Sequence, residues 1–243
     1  MVALILAGGR GKRLDSFTHQ NNKCLIKIKQ KSLLQYNLEH LCQLKEITSC
    51  VVVVGYCAEK IMNEIGNCVF NKKVVYCYQK EQKGVIDAIE SAKWAVKGED
   101  FFMLLGDEMI INNRYKDAIR DFYRRDFYCN IGIIRAKKLD LVRKTYTFKI
   151  DPELGLTDFI EKPLHPFNME MGTGNVIFND EVFDILGEVP ANPIRGEREL
   201  VDLFSIIQKR NKKIGYFRVG DHYVNINCQE DLDYLRKISA LIF

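Results

Sequence analysis

The chain opens on Val2-Ala3-Leu4-Ile5-Leu6, an apolar run that reads as a buried strand, and passes almost at once into Gly8, Gly9 and Gly11. A strand that ends in glycines constrains the use of the loop after it, because backbone without side chains lets an anion come close to main-chain N–H groups. Lys12, Arg13 and, ten residues further on, Lys23 bring cationic side chains to the same mouth. The combination points to a loop that grips the phosphates of a nucleoside triphosphate. The plain alternative is a strand-to-loop turn with a solvated basic flank.

Two common phosphate patterns do not fit. The P-loop requires G-x-x-x-x-G-K-[ST], but the residue five after Gly8 is Arg13, and no Ser or Thr follows Lys12 to hold magnesium. The dinucleotide fingerprint accommodates Gly9 and Gly11 but meets Leu14 at its third glycine. It also lacks a suitably placed acid for the ribose, which argues against a dinucleotide-dependent oxidoreductase.

Through the first half, short runs rich in β-branched residues alternate with helical periodicity, the signature of βαβ units. Strands are expected at Val2 to Leu6, Cys50 to Val54, Val74 to Tyr78, Phe101 to Leu105 and Cys129 to Arg135. Leu33, Leu34, Leu38, Leu41 and Leu44 predict one helix between them, and Val85, Ala88, Ile89, Ala92 and Val96 another. The second half predicts strands at Tyr146 to Ile150, Leu156 to Glu161, Asn175 to Phe178 and Ile214 to Val219. Helices are expected over Glu199 to Lys209 and from Gln229 onward. The expected fold is α/β, a Rossmann-like mixed and mainly parallel sheet flanked by helices. Residues 1–243 are read as one domain: about 1–130 form the nucleotide half, and about 131–243 build the acceptor side of a cleft at the strands' carboxyl ends.

A hydrophobic content of 47% suffices for a sizeable core at this length. The net charge of +4 is small and the basic residues are interleaved with acids, so no nucleic-acid stripe is present. Eight scattered cysteines, with no C-x-x-C pair and no histidine at metal-ligand spacing, read as core filler in a reducing cytoplasm. No apolar run has the length of a signal peptide or a membrane span.

Three further positions carry chemistry. Asp107, in Leu104-Leu105-Gly106-Asp107, sits just past a buried strand, where a carboxylate can hold magnesium at a nucleotide; the alternative is a turn-forming Gly-Asp pair. Glu161-Lys162-Pro163 follows an apolar strand that the proline stops, leaving an ammonium at its end for a second phosphate, or else plain surface punctuation. Gln79, five residues before Gly84, offers an amide to a base edge beside an unobstructed backbone.

In this order these segments resemble the sugar-nucleotide pyrophosphorylases. Their L-A-G-G-x-G-T-R-L signature appears as Leu6 to Leu14, followed by Thr18 and Lys23. Lys12 replaces the usual Thr, and Ser16 and Asn22 stand where prolines are frequent. The Gln-x4-Gly pair matches Gln79 and Gly84, L-G-D matches Leu105 to Asp107, E-K-P matches Glu161 to Pro163, and T-G matches Thr173-Gly174. R-G-E-x-E-h-x-D matches Arg195 to Asp202. The resemblance implies that the phosphate of a sugar-1-phosphate attacks the α-phosphorus of a nucleoside triphosphate and expels pyrophosphate. Leu6, Ala7, Gly8, Gly9, Gly11, Lys12, Gln79 and Gly84 would bind the nucleotide, a pyrimidine by resemblance to thymidylyltransferases. Arg13 and Lys23 would cover the triphosphate. Asp107 would hold Mg2+, and Lys162 would orient the attacking phosphate. Tyr146, Glu161, Thr173, Gly174 and Glu197 would line the acceptor site. Such transfers ask a protein for positioning and charge neutralisation, and a phosphate nucleophile needs no general base. The chain lacks the C-terminal β-helix extension of some relatives, which implies a single function. Relatives are often dimers or tetramers, which leaves self-association open.

The pattern breaks in two places. The second magnesium-ligating Asp of the family's W-x-D-x-G segment is matched by Asn225, so metal affinity should fall unless another acid such as Asp221 helps. A glycine beside the sugar is matched by Tyr146, or by Thr147 if the alignment slips by one residue, which would reshape the acceptor pocket. These losses keep a rival reading open, a catalytically weak regulatory subunit that binds nucleotides or sugar nucleotides. Lys12 could partly offset the charge missing at Asn225.

Overall fold

The computed structural model describes residues 1–11, 20–96, 98–152 and 155–242. Five apolar residues with no polar face make β1 (Val2–Leu6), buried throughout. After the short hairpin of β2 (Lys27–Ile28) and β3 (Lys31–Ser32), Ser32 starts α1 (Leu33–Cys42). Its hydroxyl accepts from the Gln35 N–H while the Gln35 side chain accepts from the Ser32 N–H, a reciprocal capping box. Next come β4 (Ser49–Val54), α2 (Ala58–Ile65), β5 (Cys68–Val69) and β6 (Lys72–Tyr78). The expected helix around Val85 to Val96 is two pieces, α3 (Val85–Ser91) and α4 (Lys93–Val96), parted at Ala92, whose N–H tightens back onto Ile89 O.

Only Gly106 and Asp107 separate β7 (Phe101–Leu105) from β8 (Glu108–Ile111). In α5 (Tyr115–Arg125) the buried Tyr115, Ala118, Ile119 and Phe122 fall on one face. The chain continues through β9 (Cys129–Arg135), α6 (Leu139–Val142), β10 (Tyr146–Asp151), β11 (Gly155–Glu161), β12 (Glu170–Phe178), α7 (Leu200–Lys209), β13 (Ile214–Arg218), β14 (His222–Asn225) and α8 (Gln229–Ile242). Strand β12 starts five residues earlier than its apolar run suggests. Its pairing with β9 shifts register between Gly172 and Val176, and such an irregularity hides the alternation that would mark a strand.

Eight strands form one sheet in the order β13-β9-β12-β7-β1-β4-β6-β5. Strand β1 pairs in parallel with β4 on one side and β7 on the other, and β12 enters antiparallel between β7 and β9. After β1 the chain builds outward through β4 and β6, then returns to β1's other edge with β7. The winding therefore reverses between β1 and β7, which opens a crevice at their carboxyl ends. Alternate residues of β1 serve opposite faces. Val2, Leu4 and Leu6 pack with Ile86, Ile89 and Phe204, whereas Ala3 and Ile5 pack with Leu34, Leu38 and Ile119. The mixed, mainly parallel, helix-flanked α/β sheet is thus the fold that the sequence predicts. Beside it β8 pairs with β14, and α8 packs Leu232, Leu235 and Ile238 onto their apolar side chains. No helix among the described residues is long and apolar enough to cross a membrane.

Candidate active site

Where β1 ends, the backbone of the glycine loop is anchored on both sides. Ala7 N–H donates to Val53 O at 2.8 Å, and Gly8 O accepts from Tyr56 N–H at 3.1 Å and from Gln82 Nε2 at 2.8 Å. A Cβ on Gly8 would stand 2.7 Å from Gln79 Oε1, so the bare backbone is what admits the Gln79 amide. The wholly buried Asn22 staples the loop. Its Nδ2 donates to Ala7 O (2.8 Å), Tyr56 O (3.0 Å) and Gly9 O (3.2 Å), while its Oδ1 accepts the Cys24 N–H (2.9 Å). In sequence Asn22 shows only as the replacement of a frequent proline, and that departure is the available signal. Lys12 and Arg13, and with them the idea that Lys12 offsets Asn225, lie outside the described residues.

Gln79 is held by its own amide: Nε2 donates to Asp87 Oδ2 at 2.9 Å and to Gly84 O at 3.3 Å. Gly84 has φ +106°, and a Cβ there would lie 2.5 Å from Arg198 O. Its backbone bridges to Arg198, whose N–H donates to Lys83 O at 2.9 Å and whose guanidinium reaches Glu90 at 2.6 Å and the Leu186 carbonyl. The Arg195 to Asp202 run therefore links the Gln79–Gly84 corner to the acceptor side.

Across the crevice, Gly106 N–H donates to Leu6 O at 2.9 Å and places Asp107 beside the glycine loop. Lys23 Nζ forms an ion pair with Asp107. Burial alone would lower the Lys23 pKa, but Asp107, through its charge and a hydrogen bond, holds it above its ordinary value. Next to Asp107 is a buried carboxylate that the sequence does not single out. Glu108 accepts from Gly174 N–H (3.0 Å), Asn175 Nδ2 (2.8 Å) and the Tyr223 hydroxyl (2.7 Å), and more distantly from Asn225 Nδ2 (3.5 Å). Burial, then Asp107, pushes its pKa up to about 8 against the pull of those donors. Its one signal in the sequence is an acid heading an otherwise apolar strand. Asp221, suggested as a substitute for the missing second acid, is turned away from the site. It accepts from Asn112 Nδ2 (3.0 Å) and Arg114 (3.1 Å) in solvent, because β14 begins only after it.

On the wall expected to take the acceptor, Lys162 follows β11 at φ +45° and its Nζ lies 3.2 Å from Glu161 Oε1. Burial raises the Glu161 pKa, opposed by Lys162. Tyr146 stands in the wall with its ring 5.8 Å from that of Phe204 and its hydroxyl donating to Thr173 O at 3.0 Å. A Cβ on Gly172 would collide with that ring. Thr147 is wholly buried and its hydroxyl turns to Glu170 O, so of the two candidates for the family glycine Tyr146 is the one at the cavity. Thr173 Oγ1 donates to Gly132 O at 2.9 Å, and a Cβ on Gly174 would lie 2.2 Å from Leu105 Cγ.

These groups face one cavity of about 600 Å³ at the β1/β7 crevice. It is lined by Leu6, Gly8, Gly9, Gly11, Lys23, Gln79, Gly84, Asp107, Tyr146, Glu161, Lys162, Thr173, Gly174, Glu197 and Asn225. Ala7, also expected there, is not in the lining; it is buried and its carbonyl is taken by Asn22. Among the described residues no group of three or more His, Cys, Asp or Glu side chains could hold a metal ion. The Asp107 carboxylate and the Asn225 amide oxygen are nevertheless hard donors on one cavity. That set fits magnesium held together with substrate phosphates.

Comparisons with known proteins find similar chains over most of its length. The chain is 28% identical to the UTP–glucose-1-phosphate uridylyltransferase AglF of Haloferax volcanii, across 96% of this chain and 94% of that protein. It is 30% identical to the low-salt glycan biosynthesis nucleotidyltransferase Agl11 of the same organism, across 83% of this chain and 56% of that one. It spans about half the length of Agl11 and of several other curated relatives that it matches. A solved UDP-glucose pyrophosphorylase in complex with UDP-glucose superposes with a TM-score of 0.84, covering 99% of this chain and 98% of that one at 19% identity, a likeness of fold. The nucleotidyl transferase family model matches residues 2–223, and the chain belongs to that family.

Proposed function

We propose that this chain transfers a nucleoside monophosphate from a pyrimidine nucleoside triphosphate to a sugar-1-phosphate, yielding a nucleoside diphosphate sugar and pyrophosphate. The observation that carries the reading is the Lys23–Asp107 pair at the β1/β7 crevice, with Glu161 and Lys162 on the same cavity. A cation and a carboxylate beside the glycine loop suit the triphosphate. A second ammonium suits the incoming phosphate. Lys23 neutralises charge on the triphosphate and the leaving pyrophosphate, Lys162 aims the attacking phosphate oxygen, and Glu161 and Glu197 accept from acceptor hydroxyls. Gln79, fixed by Asp87, meets the base edge beside Gly84. Asp107 and the Asn225 amide oxygen would hold magnesium, which would supply further charge neutralisation.

The relatives are named as enzymes, which supports catalysis over the regulatory alternative. The test is pyrophosphate release with magnesium, each of the common triphosphates and a panel of sugar-1-phosphates. Release with a pyrimidine triphosphate is expected; nucleotide binding without release in any combination overturns the enzyme reading. Asp107→Asn should lower turnover far more than triphosphate binding. An unchanged rate removes Asp107 from its role.

A further inference from the structure

The two ends of the Gln79 amide are sorted by their neighbours. Its Nε2 donates to Asp87 Oδ2 at 2.9 Å and to the Gly84 carbonyl at 3.3 Å. A carboxylate and a carbonyl only accept, so the end of the amide between them has to be the nitrogen. The residue cannot slide away from them, because its own N–H donates to Val54 O at 2.8 Å. The oxygen is left over. Gln79 Oε1 lies against Gly8, where a Cβ would stand 2.7 Å from it, and it accepts from no described residue. Gln79 is buried, yet this oxygen is not among the partnerless atoms closed off from solvent, and the residue lines the cavity. The amide spans from Gly8 to Gly84, and the main-chain N–H groups of these two glycines also donate to no described residue.

We propose that Asp87 is a specificity-determining positioning residue: by taking the Gln79 Nε2 hydrogen it keeps Oε1 toward the base, so that the site takes uracil or thymine and rejects cytosine. An acceptor bracketed by main-chain donors complements a base edge with a donor at its centre and acceptors on its flanks. Uracil and thymine have that edge in O2, N3–H and O4, whereas cytosine carries a lone pair at N3. An amide free to turn would serve either base, accepting from the uracil N3–H or donating to the cytosine N3. Asp87 removes the choice. Cytosine then sets a lone pair against an oxygen, the repulsive element by which a site discriminates between otherwise equal ligands.

The inference rests on the proposed reading of Gln79 as the residue that meets the base, and its test is binding without turnover. UTP and CTP share ribose and triphosphate and differ only along the edge in question. Each is titrated calorimetrically, with magnesium and no acceptor, into wild type and into Asp87→Asn. Wild type should bind UTP about thirtyfold tighter than CTP, the cost of one lost hydrogen bond and an unpaired acceptor. In Asp87→Asn the new side-chain amide can donate to a turned Gln79 Oε1, which brings Nε2 round to the base. UTP should then bind about threefold weaker and CTP about threefold tighter, leaving the two within about threefold of each other. The gain for CTP is the decisive readout, because a merely structural disturbance weakens both ligands. The proposal is overturned if wild type binds CTP as tightly as UTP, or if Asp87→Asn weakens both by the same factor. If Asp87→Asn does not fold, the wild-type ratio decides. A chain with the stated preference that releases no pyrophosphate overturns the proposed transfer and not this inference. Release with CTP as readily as with UTP does the reverse, and a chain that binds neither nucleotide overturns both.

Discussion

Replacing Asn22 by alanine tests whether one buried amide sets the shape of the glycine loop. Its two N–H hydrogens serve the carbonyls of Ala7, Gly9 and Tyr56, and its Oδ1 caps the turn Lys23–Leu25 through the Cys24 N–H. A net hydrogen bond contributes about 1 kcal/mol and a buried group left unpaired costs about 1–3 kcal/mol. Losing three bonds from Nδ2 and Oδ1 combined should therefore cost about 3–4 kcal/mol. At about 2–4 °C per kcal/mol for a chain of this size, the melting temperature should fall by roughly 10 °C in calorimetry. The carbonyls of Ala7 and Gly9 belong to the loop itself, so the surviving protein should also show a triphosphate KM raised about tenfold with a smaller change in kcat. Asn22→Asp sharpens the test. It keeps size and the Cys24 acceptor but turns a carboxylate toward three carbonyl oxygens, so it should melt no higher than Asn22→Ala. An aspartate variant that melts within about 2 °C of wild type would refute the reasoning.

Gly84→Ala combines φ +106° with a Cβ 2.5 Å from Arg198 O; it should cost on the order of 2–3 kcal/mol and weaken triphosphate binding, and wild-type melting would contradict the tight Gly84–Arg198 approach. Tyr146→Phe keeps the ring and removes the bond to Thr173 O, so it should lose about 1 kcal/mol and raise the KM for the acceptor rather than for the triphosphate. The opposite KM pattern would place Tyr146 outside the acceptor wall. Burial holds the His40 pKa below 6.5, opposed by Glu39 and reinforced by Lys31. The unfolded chain therefore binds the extra proton first, and His40's stabilising effect is complete above pH 6.5 and lost as pH falls from there through the lowered folded value. Relative to His40→Gln, wild type should lose melting temperature as pH falls below about 6.5; a constant difference refutes this.

The fold is legible in the sequence where burial is local and symmetric. β1, β7 and β9 have the boundaries read from their apolar runs, because strands covered on both faces announce themselves by composition. Helices α2 and α5 carry no comparable signal. α2 buries only Ile61, and the Tyr115, Ala118, Ile119 and Phe122 stripe of α5 is set among seven charged or polar positions. β8 and β14 have four residues each and exist by pairing with one another across up to 117 positions of sequence, so neither is conspicuous on its own.

The site divides along the same line. Gly8, Gly9, Gln79 and Asp107 can be placed from sequence because each closely follows a strand of the open α/β sheet, where such a sheet assembles its chemistry, and Lys162 because it directly follows β11. Asn22 and Glu108 cannot, since their roles are defined by partners up to 34 and 117 positions away. Asp221 shows why nearness along the chain misleads: it lies four residues before Asn225, yet Asn112 and Arg114 hold it in solvent. Compared position by position, the chain has an amide at 225 where an acid is expected. Strand register adds what that comparison omits, because the pairing of β14 with β8 puts a buried acid opposite that amide. A residue's replacement at one position is therefore interpretable only together with its cross-strand partner.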